Sequence, residues 1–199
     1  MENHQVDLPE NSATSRRRLL TSLLAGGAFA AAAPVLASRA SAADTTTTEA
    51  PTATTVAPPN RDAADNGTLN ALARREAQMV ATYATAIKAT KDANDVAALT
   101  LIHDHHVAYV QAIAGYVGRT AVDTSGATSL AGAAGSFSAN ANQLAGLETA
   151  TMNQHIDALN SLNGLDAATL VASIITMEAR HSAALALVSG LAPLTAAGN

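Results

Sequence analysis

The 199-residue chain contains no cysteine and no tryptophan. Without thiols it cannot form disulfides, iron–sulfur clusters, a cysteine nucleophile or a lipidated cysteine. Aromatic residues make up only 3% of the chain, whereas alanine is very abundant. Because strands need β-branched and aromatic side chains to cover their faces, this composition favours closely packed helices over a sheet.

Basic residues are sparse, and no long run of Lys or Arg follows residue 39. The formal net charge is −5. A surface for nucleic acid needs clustered positive charge, so nucleic acid is excluded as a partner. No Gly-rich phosphate loop and no nucleophile elbow is present either, which disfavours nucleotide enzymes and hydrolases.

The first 42 residues have the organisation of an export signal. Arg16 and Arg17 precede a weakly apolar stretch over residues 19–37, and Ala40-Ser41-Ala42 then offers a small-x-small cleavage site. This segment resembles a twin-arginine signal peptide. We expect cleavage after residue 42 and an exported protein, located in the periplasm, in the cell envelope or outside the cell. An uncleaved membrane anchor is the alternative; otherwise the chain meets a membrane only through this leader.

Residues 43–65 are rich in threonine, proline and alanine. Such a segment buries too little apolar surface to offset the entropy of ordering, so it is predicted to be a disordered linker. A folded domain is predicted over residues 66–192, followed by a tail at 193–199.

No proline occurs between residues 60 and 192, which permits long uninterrupted helices. Apolar periodicity and capping residues predict four of them. Their expected ranges are 66–90, about 92–118, 139–162 and about 166–190, with Asp166 as the cap of the fourth. The connection between the second and third is much longer than the other two. The predicted fold is therefore an all-α four-helix bundle with a long crossover between helices 2 and 3.

The two halves of this bundle repeat one register of polar positions. Aligning them pairs Glu76 with Glu148, His103 with Glu178, and His106 with His181.

Glutamate is unusually rare in the predicted helices, although it is a good residue for an exposed helix surface. The bundle has only Glu76, Glu148 and Glu178, and all three fall on the predicted inner register. Residues three apart share a helix face, so Glu178 and His181 could contact one ion. Because buried carboxylates are costly unless paired or bound to a cation, this placement indicates a metal site.

The segments Arg74-Arg75-Glu76, Leu147-Glu148 and Met177-Glu178-Ala179-Arg180-His181 resemble the ferritin-like, four-helix di-metal carboxylate family. That resemblance implies a glutamate on the first and third helices and Glu-x-x-His on the second and fourth. Carried over to this chain, the implied ligands are Glu76, His106, Glu148, Glu178 and His181. The metal implied is iron, with zinc, manganese and copper as alternatives.

The second helix departs from the family pattern, because His103 occupies the position of the expected glutamate. We therefore include His103 among the candidate ligands. Asp104 is turned by about 100° around the helix and cannot take the same place. Three carboxylates facing two divalent ions leave one positive charge uncompensated, so a single ion or a more imidazole-rich zinc or copper site is also plausible. We expect Asp104 and His105 to point outward or to support the ligands.

Alternative roles remain open for these side chains. Glu178 and His181 could form a polar pair inside the bundle, and Glu76 and Glu148 could lie on its surface. Core packing is expected for Tyr83, and His155 is expected to support a ligand or to pack in the core.

Two functions follow from the sequence. The first is an exported metal-binding protein, for metal storage or oxidase-like chemistry. The second is a metal-free bundle serving as a structural or interaction module of the cell envelope. The sequence assigns no reaction, and an oligomer is compatible with it.

Overall fold

The computed structural model describes residues 62–190. The predicted signal peptide, nearly all of the predicted linker and the predicted tail lie outside these residues. Within them there are four long helices, which are α1 (Asn66–Ala89), α2 (Ala93–Val117), α3 (Phe137–Leu159) and α4 (Leu165–Ser189). Short 3-10 helices lie at Ala63–Asp65 and Gly118–Thr120, and no strand occurs in the described part of the chain. The prediction of an all-α four-helix bundle is confirmed.

Side-chain caps fix the starts of the two middle helices. The Asp92 carboxylate accepts hydrogen bonds from the first backbone N–H groups of α2, and the Ser136 hydroxyl accepts one at the start of α3. The predicted cap of α4 was wrong, because Gly164 occupies the cap position and Asp166 lies in the first turn. There its negative charge still interacts favourably with the helix dipole. Gly190 ends α4 in the left-handed conformation, with φ of +85°, which glycine adopts without strain.

Two apolar layers lie towards opposite ends of the bundle, and a polar layer separates them. Layer A contains the apolar side chains Leu69, Leu72, Ile113, Val117, Val171 and Ile174, and Ala158 and Leu159 of α3 pack against them. Layer B contains the side chains Met79, Tyr83, Leu99, Ile102, Leu144 and Leu185. Every helix crosses both layers, so every helix also passes through the polar layer between them.

The order of the layers along each helix gives the topology. From their first residues, α1 and α4 pass from layer A to layer B, whereas α2 and α3 pass from layer B to layer A. Helices α2 and α3 therefore run in the same direction, and their connection must traverse the bundle. The segment 121–136, at about 3.3 Å per residue, could span about 50 Å. That exceeds the length of about 37 Å expected for the 25 residues of α2.

The crossover is hydrogen-bonded to α1 at two positions along that helix. Near its start, the Asn70 amide accepts from the Val122 N–H at 2.9 Å and donates to the Thr120 carbonyl oxygen at 2.8 Å. Near its end, the Leu130 N–H donates to the Thr82 hydroxyl at 2.9 Å. The crossover thus lies along α1 from layer A to layer B, and it brings α3 to the correct end of the bundle.

Helix α4 is long and apolar enough to cross a membrane, judged by length and composition alone. Its position in the bundle accounts for that composition. Glu178 and His181 are fully buried on its inner side, as in the core helix of a folded domain.

A buried carboxylate ties the start of α1 to the loop between α3 and α4. Asp65 accepts hydrogen bonds from the backbone N–H of Asn163 (2.9 Å), from its side-chain amide (3.1 Å) and from the N–H of Gly164 (2.8 Å). Burial alone would raise the pKa of Asp65, but the two N–H groups outweigh that effect and lower it. The charged carboxylate therefore holds the layer A end of the bundle together.

We predict that Asp65→Ala destabilises the full chain by about 2 kcal/mol or more, because it leaves buried donors without an acceptor. Asp62→Ala is the matched control, since Asp62 accepts a single exposed hydrogen bond from Ala64 and its loss should cost about 1 kcal/mol or less. Urea denaturation followed by circular dichroism measures both. Equal losses in the two variants would contradict the role assigned to Asp65.

Candidate metal centre

The polar layer contains acid and imidazole side chains from all four helices. Helix α1 supplies one, α2 one, and α3 and α4 two each. Their side chains are all fully buried, and they are Glu76, His106, Glu148, His155, Glu178 and His181.

His106 lies between two carboxylates. Its Nδ1 is 2.6 Å from Oε2 of Glu76, and its Nε2 is 2.9 Å from Oε1 of Glu148. Burial lowers the pKa of the His106 imidazole, but the charges of Glu148 and Glu76 outweigh burial and raise it to about 10. Both ring nitrogens therefore carry protons and donate at neutral pH. Burial would raise the pKa of each carboxyl, but the imidazolium lowers the pKa of Glu76 and Glu148 below the usual range.

His155 contacts the other side of the same layer. Its Nε2 lies 3.1 Å from Oε1 of Glu76, and its Nδ1 lies 3.3 Å from Oε2 of Glu178. Nδ1 is also 2.9 Å from the backbone carbonyl oxygen of Thr151, four residues earlier. Burial lowers the pKa of His155, but the nearby carboxyl groups of Glu178 and Glu76 outweigh burial and raise it to about 10.

Glu178 is the least satisfied acid in the layer. Neither of its carboxylate oxygens makes a hydrogen bond to another described residue. Burial raises the pKa of Glu178; His155 opposes this, and Glu76 and Glu148 add to the increase. In the absence of a cation, the Glu178 carboxyl therefore retains its proton at a pH at which a solvated glutamate would be ionised.

His181 is held by a second histidine. Its Nε2 is 2.9 Å from Nδ1 of His105, and its Nδ1 lies 3.4 Å from Oε2 of Glu148. Burial and the neighbouring imidazoles of His181 and His106 lower the pKa of His105 to about 4. A neutral His105 can accept a hydrogen bond from Nε2–H of His181, which would leave the Nδ1 lone pair of His181 free to bind a metal ion. The sequence placed His105 outward or in support; it is buried, with 3% of its surface exposed.

Tyr83 packs in the core, as expected, and also contacts an acid. Its hydroxyl donates to Oε1 of Glu148 at 2.5 Å, and its ring stacks on that of His106. Tyr83 follows Glu76 by seven residues, as His155 follows Glu148. Each of these two rings contacts the glutamate of the opposite helix, so α1 and α3 run antiparallel and are related by an approximate two-fold axis.

The structure brings five of the six predicted ligands into one layer and leaves the sixth outside it. The His103 side chain is 24% exposed, and its Nδ1 lies 2.9 Å from the exposed carboxylate of Asp104. His155 is the layer member that was not among the predicted ligands. A signal for it was present in the sequence, because a spacing of seven residues places His155 and Glu148 on one helix face.

The layer contains two groups of three potential ligands, and within each group the ligand atoms lie within 4.8 Å of one another. One group is His106, Glu148 and His181, and the other is Glu76, His155 and Glu178. Several of these atoms lack hydrogen bonds to described residues, including both oxygens of Glu178 and Nδ1 of His181. Imidazole nitrogens and carboxylate oxygens are donors that transition metals accept, so the residues fit such an ion.

The fold and the buried layer define the class: an all-α bundle with a carboxylate–imidazole centre in its core. A sequence model of the ferritin-like domain family matches residues 61–191, which is more than half of the chain. The chain belongs to the ferritin-like domain family. No curated protein and no solved structure matches the chain.

We predict that the metal-free protein loses stability as the pH rises from about 6 to 10. The folded-state pKa values of His106 and His155, about 10, lie above the ordinary value of 6.5. Their stabilisation is therefore complete below pH 6.5 and is lost as the pH rises through the folded-state value. The raised pKa of Glu178 acts in the same direction.

For each proton that the folded state binds in excess of the unfolded state, the free energy of unfolding should fall by about 1.4 kcal/mol per pH unit as the pH rises in this window. Thermal denaturation of the metal-free chain between pH 6 and pH 10 measures the slope. His155→Gln should reduce it, whereas His103→Gln, outside the layer, should leave it unchanged. A flat or rising melting temperature in the wild type would contradict the protonated layer.

Proposed function

We propose that this protein is an exported ferritin-like protein that binds a transition-metal ion in the core of its bundle. One observation carries the proposal: fully buried acids and imidazoles from four helices meet in a single layer, and several of their ligand atoms lack hydrogen bonds. Burying an ionised side chain costs several kcal/mol unless its partners compensate. A cation would compensate the acids of this layer together.

The group His106, Glu148 and His181 would hold the ion. It combines two imidazoles with one carboxylate, from three different helices. The hydrogen bond that Tyr83 donates to Glu148 and the one that His181 donates to His105 would orient these ligands, as supporting contacts do in metal sites. Glu76 and Glu178 would place further negative charge beside the ion.

The ligand atoms limit the choice of metal ion but do not identify a single one. Nitrogen and oxygen ligands suit iron, manganese, zinc and copper, and the absence of cysteine leaves no thiolate to select a softer ion. Family membership favours iron. A bound ion would supply Lewis acidity, and iron, manganese or copper would also supply electron transfer. Metal storage and oxidase-like chemistry are both consistent with such a centre.

Export is proposed from the leader. Arg16 and Arg17, the apolar stretch and the small-residue cleavage signal support the twin-arginine route, which transports folded proteins. That route suits a domain whose buried centre could be loaded before transport.

A metal-free structural or interaction module is the second candidate. It is favoured by the position of His106, whose imidazolium bridges Glu76 and Glu148 and, together with the imidazolium of His155, balances both charges without a metal ion. The lack of a glutamate at position 103 favours it as well.

Metal loading separates the two functions. We predict that the purified protein binds iron, manganese, zinc or copper with at least about one equivalent per chain, and that an excess of about 100 times the Kd stabilises it by about 2.7 kcal/mol. Elemental analysis and differential scanning calorimetry measure these quantities. Glu148→Gln should remove most of the stabilisation, whereas His103→Gln should retain it. Less than about a tenth of an equivalent of every metal tested would favour the metal-free module.

Export has its own test. The double substitution Arg16→Lys with Arg17→Lys keeps the positive charge but removes the twin-arginine pair, so the full chain should remain inside the producing cell. Arg18→Lys is the matched control and should still be exported. Cell fractionation followed by immunoblotting measures the distribution. Normal export of the double variant would contradict the proposed route.

A further inference from the structure

The approximate two-fold relation between α1 and α3 is broken at one pair of side chains. Tyr83 on α1 and His155 on α3 occupy related positions, and each contacts the glutamate of the other helix. A tyrosine hydroxyl donates to its glutamate, whereas an imidazole nitrogen can also bind a metal. The centre therefore has one potential metal ligand on α3, His155, with no counterpart on α1.

The backbone fixes the orientation of the His155 ring. Nδ1 lies 2.9 Å from the carbonyl oxygen of Thr151, and because a carbonyl oxygen can only accept, Nδ1 must carry a proton. In a neutral ring, Nε2 then holds the lone pair. Nε2 lies 3.1 Å from Oε1 of Glu76 and makes no hydrogen bond to a described residue. Metal-binding histidines commonly have this arrangement, with one nitrogen donating to a carbonyl and the other free for the ion.

Two fully buried carboxyl groups lie beside the His155 ring. Oε1 of Glu76 is 3.1 Å from Nε2, whereas Oε2 of Glu178 is 3.3 Å from Nδ1, and neither oxygen of Glu178 is hydrogen-bonded to a described residue. His103, which aligns with Glu178 in the internal repeat, is turned towards Asp104 and contributes nothing here. Helix α2 therefore supplies no second ligand besides His106, whereas α3 supplies the imidazole of His155.

We propose that His155 is a metal ligand, which completes a second binding site with Glu76 and Glu178 in place of the carboxylate missing from α2. The assignment rests on the proposed function, because it adds a second ion to a core that already binds one.

The two sites differ in their donors. The first offers two imidazoles and one carboxylate, and the second offers one imidazole and two carboxylates. Nitrogen-rich sites suit zinc and copper, whereas carboxylate-rich sites suit manganese. Replacing a carboxylate by a neutral imidazole also leaves two divalent ions facing only three carboxylates. The two ions should therefore bind with unequal affinity, and the sites should prefer different metals.

Cobalt(II) is the probe for the test, because it is paramagnetic and shifts the resonances of the histidine rings that bind it. Equilibrium dialysis of the full chain should give about two cobalt ions per chain for the wild type and about one for His155→Gln. His103→Gln, the matched control, should bind as many as the wild type. His155→Asp, which supplies a carboxylate ligand, should recover the second ion. Circular dichroism and the melting temperature of each metal-free variant report whether it folds.

The exchangeable imidazole N–H resonances provide a second readout that a purely structural role for His155 would not change. The cobalt-loaded wild type should show shifted N–H signals from three histidines, and His155→Gln should lose one of them. Unchanged stoichiometry and an unchanged number of shifted signals in His155→Gln would overturn the assignment, as would loss of both ions from a folded His155→Gln. A wild type that binds no cobalt, iron, manganese, zinc or copper would overturn the proposed function itself. A wild type that binds only one ion, which His155→Gln also retains, would overturn only the second site.

Discussion

The structure depends on charge compensation inside a layer from which water is excluded. Glu76 and Glu148 share the His106 imidazolium, and apolar layers cover this group on both sides. Because each unpaired buried charge would cost several kcal/mol, the layer fixes the register of the helices. Sliding one helix by a turn, about 5.4 Å, would move its acid or imidazole into an apolar layer and leave a partner uncompensated. The small alanines of the core would otherwise permit such a shift.

The directions of α2 and α3 determine how they are connected. Each helix places its polar residues at mid-height, and α2 and α3 both run from layer B to layer A, with His106 and Glu148 in contact between the two layers. A short turn cannot join two helices that run in the same direction. The long crossover follows from this requirement, and its hydrogen bonds to Asn70 and Thr82 lay it along α1, clear of the polar layer.

The helices could be predicted because the signals that define them are local. An uninterrupted stretch without proline, together with Asp92 as a cap, fixes them to within a few residues. The glutamates could be placed inside because they are too few to serve as ordinary surface residues. The sequence could not show that His103 lies outside the polar layer and His155 inside it. Periodicity identifies the face of a helix but not the rotamer of a side chain. On α2, the partly exposed His103 contacts Asp104, whereas on α3 the Thr151 carbonyl and two buried acids hold His155 inward.

Protons and metal ions compete for the same atoms in this centre. Without metal, the charges of His106 and His155 balance those of Glu76 and Glu148, while Glu178 retains its proton. An ion held through these imidazoles must displace their protons, so binding becomes more favourable as the pH rises. The charge balance that stabilises the metal-free core at acidic pH therefore opposes loading there. At alkaline pH the lost protons leave negative charge that a cation would neutralise, so folding and metal uptake depend on one set of buried side chains.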